Sequence, residues 1–114
     1  MKLTKRQREI LEGLRYAQDH PLEDDAPDLV EEAGQWWFGF EQTNGKLGLF
    51  LLRNVLISPV DSEPYESGHG VVRRYEINSW GRRVLDDPDF EPMVEILKLR
   101  RNAERAAKAL FESE

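Results

Sequence analysis

The residues of this chain that could act on something outside it are mostly hydrogen-bonding groups and cations. Thr43, Asn44 and Lys46 fall within four positions at the expected start of a helix, Arg53 lies about two turns further on, and Arg73-Arg74 sit in a β-prone run. Amides and hydroxyls can read base edges in a DNA groove, while ammonium and guanidinium groups fix register on phosphates. Catalysis has far less to stand on. His20 and His69 both fall in expected loops, there is no cysteine, and neither a Ser-His-Asp set nor a Gly-rich phosphate loop is present. Asp24, Asp25 and Asp28 lack the glycine and terminal glutamate of a calcium loop. The chain is therefore expected to have no catalytic residues, no metal site and no cofactor.

At 114 residues the sequence is sized for one domain, which must be held by packing because it has no cysteines. No apolar run reaches the length of a membrane span, and the start lacks the apolar core of a secretory signal, so a cytoplasmic protein with no membrane contact is expected. The net charge of -6 argues against indiscriminate attraction to nucleic acid. Its distribution is uneven. Asp19 to Glu41 holds eight acidic residues and no Lys or Arg, whereas Lys2, Lys5, Arg6, Arg8 and Arg15 cluster early and Lys98, Arg100, Arg101, Arg105 and Lys108 late.

Seven elements, five helices and two strands on the favoured reading, must position these groups. Thr4 and Gln7 have capping-box spacing, and Ile10, Leu11, Leu14 and Ala17 form one stripe, which predicts a helix over about 5 to 18 ended by His20-Pro21. Pro27 to Ala33 reads as a short second helix terminated by Gly34, with acidic residues at its positive end. Residues 35 to 53 admit two readings. Asn44-Gly45 could turn a hairpin between strands 35 to 42 and 47 to 53; alternatively Thr43 or Asn44 caps a helix over about 44 to 54, the reading favoured here. Trp36, Phe38 and Phe40 are expected in the core, with Trp37 pointing the other way if this segment is extended. Val55 to Val60 and Val71 to Ile77 read as two strands joined by a tip from Asp61 to Gly70, with Gly68-His69-Gly70 a flexible part of that tip. Asn78 can cap a short helix through about Leu85, and a last helix of about twenty residues is expected between Phe90 and Phe111. That helix can pack on its own domain or on a second copy, although Arg100 and Arg101 interrupt its apolar stripe.

Leu52-Arg53-Asn54-Val55-Leu56-Ile57, followed by Arg74-Tyr75-Glu76-Ile77-Asn78-Ser79-Trp80-Gly81-Arg82-Arg83-Val84-Leu85, resembles the back half of winged helix-turn-helix proteins. Thr4 to Leu11 looks like their first helix, and at a looser level the chain resembles small proteins of phages and mobile elements. The resemblance implies an α+β, mostly helical fold: a winged helix-turn-helix over 1–88 with a two-stranded wing, plus an added C-terminal helix over 89–114. It also implies a non-enzymatic DNA-binding role, as a transcriptional regulator or a phage or mobile-element accessory factor, with Thr43, Asn44, Lys46, Arg53, Arg73 and Arg74 facing double-stranded DNA. Two departures stand against it: the aromatic cluster from Trp36 to Phe40, and the acids Asp61, Glu63 and Glu66 at the would-be wing tip, which oppose phosphate contact. The alternative is a protein-interaction module that docks through the acidic block and its aromatic anchors.

Overall fold

A computed structural model describes residues 1–23, 26–60, 65–67 and 70–112, the last strand residues before position 70 by backbone alone. Helix α1, Lys5–Asp19, begins where the capping box requires. Thr4 Oγ1 accepts from the Gln7 amide at 3.2 Å, and Gln7 Oε1 accepts from the Thr4 amide at 2.9 Å. Its buried stripe is Ile10, Leu11 and Leu14.

The segment read as a second helix is strand β1, Leu29–Glu32, so among the described residues only strands stand between α1 and the helix expected over about 44 to 54, and the predicted helix-turn-helix pair is not formed. Its acidic residues and Pro27 imitate a helix start, but tertiary pairing decides the matter. β1 is hydrogen-bonded on both sides, to β2, Gln35–Phe38, and to β6, Gly70–Ile77, which buries Leu29 completely. Gly34 ends no helix; Ala33 and Gly34 both have positive φ, 51° and 81°, and form a two-residue hairpin connection. A second short connection, Gly39-Phe40, leads to β3, Glu41–Thr43, with Gly39 at φ 61°.

Asn44 then caps α2, Gly45–Arg53, by accepting from the Lys46 amide at 2.9 Å. The helix reading of this segment holds, and the aromatic run before it is extended but pairs with β1 instead of with residues 47 to 53. At the other end the Leu56 amide bonds the Leu51 carbonyl and the Val55 amide bonds the Leu52 carbonyl, closing the helix through a left-handed residue. That residue is Val55, with φ 56°. A β-branched side chain is poorly suited to this conformation, so Val55→Gly is expected to stabilise the protein by about 1 kcal/mol. Urea unfolding would measure it, and a destabilised variant would show that the valine side chain contributes more than its backbone costs.

β4, Ile57–Pro59, and β5, Tyr65–Ser67, flank one edge of β6 at its opposite ends, giving an antiparallel sheet in the order β3-β2-β1-β6-β4. One face carries Leu29, Trp36, Ile57, Tyr75 and Ile77 into the core beneath the helices; the other carries Val30, Trp37 and Arg74. The tip acids Asp61 and Glu63, and His69, lie outside the described residues; of Glu66 only the backbone is described.

Asn78 caps α3, Ser79–Asp86, and also ties it down. Its Oδ1 accepts from the Gly81 amide, while Nδ2 donates to the Val55 carbonyl at 2.6 Å and to Ser58 Oγ at 3.0 Å. Gly81 packs so closely on the Leu56 carbonyl that no Cβ fits there. α3 is clamped to α1 by charge: Arg82 reaches Asp19 at 2.6 Å and Gln18, and Arg15 reaches Asp86 at 2.7 Å. The Arg82 hydrogen bond holds the Asp19 carboxyl below its ordinary range. A depressed carboxyl stabilises the fold above its unfolded value, about 3.9, and loses that contribution as pH falls through the folded value. The stability difference between the wild type and Asp19→Asn is therefore expected to shrink as unfolding is measured at successively lower pH below about 4. A difference that stays constant over that interval would remove the clamp from the account.

The last helix, α4, Pro92–Glu112, starts against the body and then leaves it. Phe90 is buried, stacked on Trp80 and covered by the Arg83 guanidinium at 3.9 Å, and Pro92 is buried beside it. From residue 97 to 112 every position is exposed.

Candidate nucleic-acid interface

The functional candidates are organised by Trp36. This side chain is 2% exposed, stacks on Tyr75 with ring centroids 5.1 Å apart, and lies directly under Gly48, where no Cβ could be added without displacing the ring. α2 thus sits on the sheet through a glycine, close to it, with its first turn beside β3. That seating brings the amino end of α2 next to the amino end of α1. Thr4, Arg6, Gln7, Asn44, Lys46, Leu47 and Phe50 line an open cleft of about 470 Å³ between them.

Thr4, Asn44 and Lys46 are exposed along the cleft, and Arg6, Gln7, Leu47 and Phe50 are half-buried in it. Two helix amino ends converge on it, and their dipoles favour anions there, although the Thr4, Gln7 and Lys46 amides are already taken by the caps. Arg6 bonds Glu41 at 3.2 Å and Glu9 at 3.4 Å, and its guanidinium stands 5.7 Å from the centre of the Phe38 ring. Its charge is therefore partly countered, through contacts with exposed acids that water screens strongly. Thr43 and Asn44 are engaged in local structure: Thr43 Oγ1 donates to the Asn44 carbonyl, and Asn44 Oδ1 is the cap. Arg53 is exposed in the last turn of α2, about 10 Å along the axis from Lys46, with the partly exposed Leu49 between them.

The two remaining candidates do not join this set. Strand register places Thr43, Trp36, Glu31 and Arg73 in one row across the sheet, so Arg73 lies about 14 Å from Thr43 and directly opposite the acid Glu31. Arg73 also lies near Tyr75, whose hydroxyl is pushed up by burial and by the Glu31 charge and drawn back by its Arg73 hydrogen bond. Arg74 points to the opposite face, in the row of Val30, Trp37 and Gln42. Arg73 and Arg74 cannot serve one flat interface.

Sequence reasoning missed the α1 side of the cleft. The capping box located the start of α1, yet no local signal says that the starts of two helices 40 residues apart in sequence will meet. It also misplaced Phe40. Alternation after Trp36 and Phe38 points it inward, but the turn at Gly39 breaks the alternation, and Phe40 is 103% exposed. Trp37 is half-buried on the uncovered sheet face beside Glu32, Ala33 and Gln35. His20 stacks on Tyr16 with ring centroids 4.1 Å apart, and among the described residues no group of acids, histidines and cysteines is placed to hold a metal ion. Among the described residues no helix is long and apolar enough to cross a membrane. The chain matches no protein-family model, no curated protein and no solved structure.

Proposed function

We propose that this protein binds double-stranded DNA as a winged-helix-like module, with α2 offered to a groove and the cleft at the starts of α1 and α2 holding the phosphate backbone. One observation carries the reading: Lys46, Arg6, Asn44, Gln7 and Thr4 meet in a single open cleft, and Arg53 continues the exposed face of the same helix. The order of elements behind it supports the winged-helix half of the proposal. α2 runs through Val55 into β4, the chain returns along β6, and α3 follows at once. The front half differs, since β1 and β2 stand where a second helix would be.

Amide chemical-shift mapping with a short duplex tests the proposal. Shifts are expected at Thr4 to Gln7 and at Asn44 to Arg53, with Arg74 and Trp37 undisturbed. Shifts confined to the sheet face of Trp37, or none at all, would count against it.

The second reading, docking on a protein, is favoured by Phe40. A fully exposed phenylalanine on a tight turn, next to the acid Glu41, has the character of an interface anchor. On the DNA reading, Phe40→Ser leaves duplex affinity unchanged; on the docking reading, it abolishes the interaction while leaving stability intact.

A further inference from the structure

We infer that α4 associates with the α4 of a second copy, antiparallel, through residues 97–112. Pro92, Ile96, Leu99, Ala103, Ala106 and Leu110 recur at alternating spacings of four and three, the pattern of a coiled-coil seam, and no charge interrupts them. Arg100 and Arg101 break only the neighbouring row that passes through Met93 and Leu97. The seam begins as the face that packs on the body, because Pro92 is buried and Ile96 partly so, and then runs on uncovered. Leu99 is 53% exposed and Leu110 is 70% exposed. An α-helical stretch of this length is marginal in water on its own.

The position of the body fixes the orientation of the second copy. In a parallel pair, the body on the seam side of each helix start would collide with the start of the other helix. In an antiparallel pair, each carboxyl end can run until it meets the other body, so residues 97–112 overlap themselves about a midpoint between Glu104 and Arg105. That register is self-complementary. Leu99 faces Leu110 of the second copy, Ala103 faces its Ala106, and the central alanines allow the axes to approach to about 8 Å. Beside the seam, Arg100 faces Ala107 and Asn102 faces Ala109, so no like charges are opposed. Phe111, 82% exposed, arrives next to the other body. The overlap is only about 24 Å long, so reversible association is expected.

The chain has no cysteine, which makes engineered ones unambiguous. Full-length Leu99→Cys and Leu110→Cys are to be oxidised separately and as a mixture, with sedimentation velocity of the unaltered chain measured alongside from micromolar to submillimolar concentration. The expected result is concentration-dependent dimerisation and a disulfide that forms in the mixture but in neither variant alone. Identical positions would stand about 16 Å apart along the axis, beyond disulfide reach. Cross-linking of Leu99→Cys with itself would overturn the antiparallel register. A monomer at every concentration would overturn association altogether, including the case in which duplex DNA or anionic vesicles order α4 instead.

Discussion

Replacing Trp36 with alanine is expected to lower the unfolding free energy by about 3–5 kcal/mol, the range for deleting a large buried aromatic. Two contacts put the value toward the upper end. The indole stacks on Tyr75, so the change removes an aromatic pair as well as buried area, and it is the surface on which Gly48 seats α2. Because Gly48 has no side chain, α2 cannot fill the space from above; it must sink toward the sheet or leave a cavity. Either response moves the first turn of α2 relative to α1. The expectation is therefore double: urea unfolding shifts by several kcal/mol, and any duplex affinity falls with it even below the unfolding midpoint. A loss under about 1.5 kcal/mol would mean that the site collapses easily and that Trp36 does not position α2.

Reversing the charge at Lys46 is the second large effect. On the proposed interface this side chain contacts a phosphate, and removing one such contact at moderate salt is expected to weaken binding on the order of 10-fold, with Lys46→Glu costing more than Lys46→Gln. Arg53→Gln should act similarly from the other end of α2. Arg74→Gln should do little, because its strand turns the side chain to the opposite sheet face. Lys46 is exposed and its side chain supports no cap, so these losses should appear without a change in stability. Equal losses for Lys46 and Arg74 would point to diffuse electrostatic attraction, which a net charge of -6 makes hard to sustain.

The elements that the sequence revealed are those announced by local chemistry. The Thr4–Gln7 box, the Asn44 and Asn78 caps and the apolar stripe of α1 each depend on residues within about two turns, and each lies where expected. β1 was hidden for the opposite reason. Leu29 to Glu32 carries no strand signal strong enough to outweigh Pro27 and the surrounding acids, and its strand state rests on partners at residues 35 to 38 and 72 to 75. The same distinction divides the candidate site. Asn44, Lys46 and Arg53 were legible because they share one helix, while Arg6 and Gln7 join them only through the seating of α2 on Trp36. Arg73 and Arg74 looked like a pair because they are adjacent, although adjacency in a strand places side chains on opposite faces. Phe40 left the core because a single glycine turn intervened.

The most direct test of the central claim is fluorescence anisotropy of a labelled duplex titrated with the full chain at about 50 and about 200 mM salt, for the wild type and Lys46→Gln. With Arg6, Lys46 and Arg53 as the cationic contacts of one copy, wild-type affinity should fall roughly 40-fold between the two salts, and the slope against log salt should be shallower by about 0.9 in the variant. Absence of saturable binding at the lower salt, or an unchanged slope in Lys46→Gln, would contradict the α1–α2 cleft as a DNA interface.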